Sequence, residues 1–402
     1  MAARSTLAGA GVFIAGAKRT AFGTFGGTLK DFTPTQLGVF AAKGAIASSG
    51  VDPAAIDTAV FGNVQQTSAD TIYLSRHIAL KSGVKTEAPC LTVNRLCGSG
   101  FQAVVTGAQE IVLGSSQIAL TGGCESMSQA PFVARGMRFG TRLGVDVPLK
   151  DSLWEGLTDA HCKLPMAITA ENLATQYGIT KQDCDEYALR SQQAWAKAQA
   201  DGVFVDEIAP VDVKGRKGVV SFEVDEHPRP TSTIEAIAKL PALFKKEDGT
   251  VSAGNASGVS DGAGALVIAS ESAMAEHNLT AMARVVGWSV AGVDPTVMGI
   301  GPVPAIRGLL EKASLTLDDI DLIEVNEAFA AQYLAVEKEL GLNRDRANVN
   351  GGAIALGHPT GASGARILGH LAHVMKKNGL KRAIGSACIG GGQGIAVLLE
   401  SA

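Results

Sequence analysis

Short apolar runs alternating with alanine-rich stretches at helical spacing constrain this chain more than any other feature. The runs lie at 11–16, 58–64, 118–122, 265–269, 283–290, 322–325 and 395–399. Each has the length of one strand buried on both faces. Between them, 35–48, 100–113, 304–313 and 362–376 carry helix-forming residues with apolar positions three and four apart. Strands alternating with helices predict an α/β fold. No apolar run reaches the roughly 18 residues that a membrane span needs, so no membrane span is expected.

The alternation repeats. A helical stretch at 36–47 leads through Val51-Asp52-Pro53 to Ile56-Asp57, an apolar run and Asn63. A second stretch at 306–313 leads through Leu317-Asp318-Asp319 to Ile320-Asp321, an apolar run and Asn326. Two related α/β halves fit this better than one long sheet. At about 150 residues per domain, 402 residues allow two to three units. The segment from Gln129 to Gly254 differs from the rest. It carries the charge runs at 181–186, 214–217, 225–229 and 245–248, with Trp154 and Trp195. The expected organisation is an N-terminal core half at 1–128, completed by 259–280, a loop-rich insertion at 129–258, and a C-terminal core half at 281–402.

A net charge of −4 gives no electrostatic footprint for nucleic acid. The six Cys, at 90, 97, 124, 162, 184 and 388, form no CxxC pair, and free thiols in a reducing compartment are expected. At the N-terminus, Arg4 precedes an uncharged run, and no acid occurs before Asp31. That bias is what a mitochondrial targeting segment shows, while 11–16 reads as the first buried strand.

Glycine, 48 residues, is in clear excess over the usual share of about 7%. Much of it surrounds reactive side chains. In Asn94-Arg95-Leu96-Cys97-Gly98-Ser99-Gly100, a strand-like run ends at a Cys that opens a helix. A helix N-terminus favours thiolate, and the flanking Gly leave room for a substrate. In the 351–366 segment, His358 sits between Gly357 and Pro359 just ahead of a helix, suited to general base work near neutral pH. In Ser386-Ala387-Cys388-Ile389-Gly390-Gly391-Gly392, a second Cys stands in a Gly cluster, and Gly390 can present a bare N–H to an oxyanion. In Glu324-Val325-Asn326-Glu327, the Asn326 amide can hold a water or a carbonyl oxygen. Two further patterns are weak. Gly98-Ser99-Gly100 lacks the acidic residue of a dinucleotide site. The His370–His373 pair has no carboxylate inside its motif and reads as a packed helix face, not a metal site.

Taken together, these segments resemble the thiolases, and within them the type that cleaves 3-ketoacyl-CoA in mitochondrial fatty-acid oxidation. The resemblance runs from Ala17 to the end and includes Asn326-Glu327-Ala328-Phe329 and the 253–258 segment. It implies a duplicated, five-layered αβαβα core with an inserted loop domain that carries the coenzyme A contacts. The activity it implies is CoA-dependent cleavage to acetyl-CoA and a shortened acyl-CoA, reversible as a Claisen condensation. Carried over by motif, Cys97 is the nucleophile, His358 accepts its proton, and Cys388 moves the proton on the α-carbon. One oxyanion hole would combine His358 with a water held by Asn326. The other would use the N–H groups of Cys97 and Gly390. Arg229, Ser232 and Ser257 match CoA contacts, and Leu157, Ala253, Ala328 and Phe329 match walls of the pantetheine tunnel.

The family uses no metal and no cofactor, coenzyme A being a substrate. Residues 129–147, with Arg135, Arg138 and Arg142, match a tetramerisation region, which implies a homotetramer built as a dimer of dimers. The implied location is the mitochondrial matrix, or the cytoplasm for a bacterial source. Short-chain members usually carry His-Met-Gly where this chain reads Pro165-Met166-Ala167. That departure implies a pocket open to short and longer acyl chains. The competing readings are a biosynthetic acetyl-CoA acetyltransferase that makes acetoacetyl-CoA, a decarboxylating ketoacyl synthase, and a non-catalytic scaffold. The synthases carry His or Asn where this chain has Cys388.

Overall fold

The computed structural model describes residues 11–215 and 218–402. The targeting bias around Arg4 lies outside the described residues. The seven apolar runs become strands β1 (Val12–Arg19), β2 (Thr58–Gly62), β4 (Ile118–Ser126), β5 (Ser260–Ser270), β6 (Ala283–Gly292), β7 (Leu322–Val325) and β9 (Gln393–Glu400), and two strands outside those runs join them, β3 (Cys90–Val93) and β8 (Arg382–Ile389). The main helices are α1 (Pro34–Ser49), α2 (Leu74–Lys81), α3 (Ser99–Val112), α4 (Met166–Tyr177), α5 (Lys181–Ala200), α6 (Pro302–Ala313), α7 (Ala330–Leu340) and α8 (Ser363–Asn378).

The strands are hydrogen-bonded in the order β7-β8-β9-β6-β1-β5-β4-β2-β3. The order is nearly symmetric about the β1–β6 junction, which pairs only Val12–Ile14 with Val285–Ala283. On each side of it two antiparallel neighbours lead to a parallel pair, β4–β2 in one half and β8–β7 in the other. The place of β3 is taken in the second half by a parallel bridge from Ile323 to Ala347.

The sequence repeat has a physical counterpart in each half. α1 passes through a 3-10 turn at Pro53–Ala55 into β2, and α6 passes through one at Leu317–Asp319 into β7. The Asp after each turn secures the parallel neighbour of the strand it precedes. The Asp57 carboxylate accepts the N–H groups of Gln117 (2.9 Å) and Ile118 (3.2 Å) at the start of β4. The Asp321 carboxylate accepts those of Lys381 (2.7 Å) and Arg382 (2.8 Å) at the start of β8. The two units thus share a hydrogen-bonding device as well as a pattern of apolar residues.

Three cores separate the layers. α1 and α2 pack on the outer face of the first half through Leu37, Ala41, Leu74 and Ile78. α6 and α7 pack on the outer face of the second through Ile306, Leu309, Tyr333 and Val336. α3 and α8 lie between the halves, where Phe101, Val104, Ile367 and Leu371 share one core with Ile268 of β5 and Val397 of β9. The layers therefore run helix, sheet, helix, sheet, helix.

Between β4 and β5 the chain leaves this core and forms α4, α5 and three short hairpins. α5 opens on a Thr180–Asp183 capping box, which satisfies orphan N–H groups of its first turn. A buried ion cluster fastens the segment back to β1. Arg19 pairs with Glu207 (2.6 Å) and Asp225 (2.7 Å), and His370 of α8 meets Glu207 at 2.7 Å. Burial pushes the Glu207 carboxyl up, but His370 and Arg19 outweigh it and hold the group well below the usual carboxylate range. The His370–His373 pair is spent on such packing, with His373 Nε2 2.9 Å from the Ala17 carbonyl.

Candidate active site

The site forms where the N-termini of the two central helices meet. Their backbones touch: a methyl on Gly100 of α3 would stand 2.5 Å from Ala365 N of α8, and one on Gly364 would overlap Phe101 N. This approach brings the segment before α3, with Cys97, against the segment before α8, with His358. Part of the glycine excess is the steric condition for that crossing.

Cys97 follows Leu96, whose φ of 46° is unusual for a residue with a side chain. Side chains stitch the bend. Ser99 Oγ accepts from Arg95 N (2.9 Å) and donates to the Leu96 carbonyl (2.7 Å), while Asn94 Oδ1 accepts from Leu96 N (2.9 Å). Gly98 caps α3, so Cys97 stands immediately before the helix. The helix terminus alone does not make Cys97 a thiolate. Burial raises the Cys97 thiol above its ordinary value despite the N–H of Gly390, and the Glu125 charge adds to the rise. Desolvation outweighs the helix terminus, so Cys97 needs a base.

His358 is buried on its loop, where its N–H donates to the Gly258 carbonyl (2.9 Å). Burial, and then the Arg366 charge, lower the imidazole to about 4, so it is neutral near pH 7. Asn326 Nδ2 lies 3.4 Å from His358 Nε2. The Asn326 Oδ1 atom is buried without a protein partner among the described residues. Cys388 is on β8 itself, paired with Gly394 of β9, and the turn at 390–392 follows it. Its thiol is enclosed by Met298 and Ala328, with Met166 and Phe329 alongside. Burial first, then the nearby Cys97, push it far above the ordinary thiol range.

A cavity of ≈ 330 Å³ opens onto this group, lined by Cys97 and His358 and by Leu157, Ser257, Ala328 and Phe329. Its other walls are mainly apolar, Pro165, Met166 and Met298 among them. Cys388, Asn326 and Gly390 are not among the lining residues but adjoin them, Cys388 at Met298 and Ala328, Asn326 at His358 and Gly390 at Met166. Arg229, Ser232 and Ala253 do not line it. Arg229 is at the surface, its Nη1 bonded to the carbonyls of Glu226, His227 and Pro228.

Several residues that build the site escaped the sequence reading. Ser363 Oγ is 2.6 Å from His358 Nδ1. The buried Glu125 carboxylate accepts from Val64 N (3.1 Å) and Gln65 N (3.0 Å) in the loop after β2, and from Thr360 Oγ1 and Gly361 N (both 2.9 Å) in the His358 loop. Burial pushes it up to about 7, against those hydrogen bonds. Trp154 and Phe244 stack at 6.5 Å on the cavity wall. Glu171 of α4 accepts from Thr250 N and Val251 N and so anchors the return loop that carries Ser257.

Comparison with known proteins gives this geometry its family. The chain matches the thiolase N-terminal domain over residues 12–272 and the thiolase C-terminal domain over 279–401. It is 60% identical to the mitochondrial 3-ketoacyl-CoA thiolase of Bos taurus, covering 97% of this chain and 98% of that protein. The crystal structure of human mitochondrial 3-ketoacyl-CoA thiolase matches with a TM-score of 0.97 and 59% identity over 98% of this chain and 99% of that one. The same human protein in complex with CoA matches with a TM-score of 0.96 and 58% identity over 99% of each. With a duplicated αβαβα core and both halves matched end to end, the chain belongs to the thiolase family.

Proposed function

We propose that the chain is an acyltransferase that cleaves 3-ketoacyl-CoA with coenzyme A, giving acetyl-CoA and a shortened acyl-CoA, and runs in reverse as a Claisen condensation. The observation that carries this is the meeting of two thiols from opposite halves, the cavity-lining Cys97 and the buried Cys388, with a neutral His358 beside a mainly apolar cavity. A reaction that breaks a carbon–carbon bond needs a nucleophile for the ketone and a separate acid for the enolate. One thiol cannot serve both, because the acyl group occupies it.

The steps follow from these positions. His358 Nε2 takes the Cys97 proton, and the thiolate attacks the keto carbon. The developing oxyanion is received by the N–H groups of Cys97 and Gly390, a contribution of about 2.7–4 kcal/mol per donor in such sites. The carbon–carbon bond breaks and leaves the enolate of acetyl-CoA, its oxygen facing protonated His358 and a water on Asn326. Cys388 protonates the enolate carbon. Coenzyme A then gives its thiol proton to the Cys388 thiolate and attacks acyl-Cys97. Cys97 leaves as thiolate and recovers its proton from His358.

The low His358 value sets a pH dependence. A lowered imidazole keeps its base form as pH falls, so Cys97 acylation by acetyl-CoA should stay level down to about pH 5 and fall tenfold per unit below about 4. Rapid acylation after a pH jump measures this. An acid limb at the ordinary 6.5 would contradict the environment described for His358.

The substrate range is tested by thiolysis of a graded series from acetoacetyl-CoA to long-chain 3-ketoacyl-CoA. Pro165 and Leu157 present no polar group to an acyl chain, which supports turnover across the series. Cleavage of acetoacetyl-CoA alone would favour the acetyl-CoA acetyltransferase reading, and failure to acylate any thiol would favour the scaffold. We assign coenzyme A recognition to residues 129–258, with Ser257 on the cavity and Arg229 and Ser232 outside it, where the longer part of the ligand would lie. The exposed Phe132, Phe139 and Leu143 support assembly through this segment as a homotetramer. The mitochondrial relatives support a matrix location.

A further inference from the structure

We propose that Ser363 is a positioning residue that fixes the tautomer of His358, leaving Nε2 bare to take the proton of Cys97. The inference deepens the thiolase reading and rests on it for the identity of that proton. Three contacts define the arrangement. Asn326 Nδ2 is an N–H₂ group that only donates, and it faces His358 Nε2 at 3.4 Å. A neutral ring with a bare Nε2 carries its hydrogen on Nδ1, 2.6 Å from Ser363 Oγ. Ser363 Oγ in turn lies 3.1 Å from the Pro359 carbonyl, which takes its one hydroxyl proton and leaves a lone pair for Nδ1–H.

The fold supplies this relay. Ser363 begins α8, and its N–H also reaches the Pro359 carbonyl at 3.1 Å, so the turn from His358 into the helix holds the hydroxyl under the ring. The charged group that bears on the imidazole is Arg366, which is committed to a buried ion pair with Glu324 of β7. Among the described residues no carboxylate is bonded to either ring nitrogen, so the hydroxyl does the orienting that an acid performs in other catalytic His pairs. With the opposite tautomer, Nε2 would already carry a hydrogen and could not take the proton of Cys97, which lines the same cavity.

Two measurements test this. In wild-type protein labelled with ¹⁵N-histidine, with His358 assigned by its loss in His358→Asn, the neutral ring should carry its proton on Nδ1. A proton on Nε2 overturns the proposal. In Ser363→Ala, acylation of Cys97 by acetyl-CoA should fall about 10–10²-fold near pH 7, with the deficit shrinking as pH rises and Cys97 ionises unaided. Ser363→Thr, which keeps the hydroxyl, should recover the rate. A loss equal at every pH, or no loss, assigns Ser363 a packing role only and overturns the proposal. Should the Ala variant not fold, the isotope spectrum decides. A wild type with the Nδ1–H tautomer and no acylation of Cys97 would instead sink the thiolase reading.

Discussion

Cys97→Ala is expected to abolish acyl transfer in both directions, and Cys388→Ala to abolish exchange of the acetyl-CoA α-proton while Cys97 still takes up an acetyl group. The two thiols differ in surroundings. Cys97 faces the cavity and lies against the Gly390 N–H, which assists its thiolate. Cys388 is sealed among Met298, Ala328 and its own strand and stays protonated over the working pH range. A thiol held far above its ordinary range is a poor nucleophile but a matched partner for an enolate carbon, itself a strong base. Removing an acid/base group of this kind typically costs about 10²–10⁴-fold. Loss of the nucleophile should leave no measurable thiolysis, since the other lining residues offer no thiol. Mass spectrometry of the acetylated chain and loss of deuterium from labelled acetyl-CoA separate the two roles. Exchange at the wild-type rate in Cys388→Ala would remove its acid/base assignment, and thiolysis by Cys97→Ala would remove the nucleophile's.

The duplication was legible in the sequence because each half starts a parallel strand with the same Asp hydrogen bonds. Asp57 and Asp321 therefore sit at matching places in the repeat. The strand at Arg382–Ile389 was not legible. Gly385 and Ser386 interrupt its apolar pattern, yet the whole stretch pairs with β9 and Ala383–Ser386 pair with β7 as well. Cys388 consequently belongs to a strand, and only the turn after it matches the Gly cluster read from sequence. The balance at Cys97 was only half legible. Sequence shows the helix that follows, but not the burial that outweighs it. Glu125 was within reach, because an acid in a buried strand demands partners. Trp154 and Phe244 were not, because they are far apart in an irregular segment and meet only across the cavity wall.

Gly123→Ala is expected to destabilise the protein by about 3 kcal/mol or more, whereas Gly369→Ala should be neutral or stabilising by up to about 1 kcal/mol. Gly123 lies in β4 beneath the point where the two central helices begin. A methyl there would overlap the Gly361 carbonyl of the His358 loop and stand 3.3 Å from the Gly100 Cα of α3. Both neighbours are backbone, so neither can rotate away. The strand, the His358 loop or α3 would have to move, and each move separates Cys97 from His358. Activity should therefore fall further than the fraction of unfolded chain accounts for. Gly369 is in α8, the same helix that the His358 loop enters, but its methyl would meet only the Ala17 Cβ at 3.4 Å, an ordinary contact. There the gain in helix propensity has nothing to offset it. Thermal unfolding midpoints and acylation rates of the two variants, measured side by side, check the contrast. A Gly123→Ala protein with wild-type midpoint and rate would show that the helix ends do not depend on bare backbone at β4, and the glycine excess would then need another explanation.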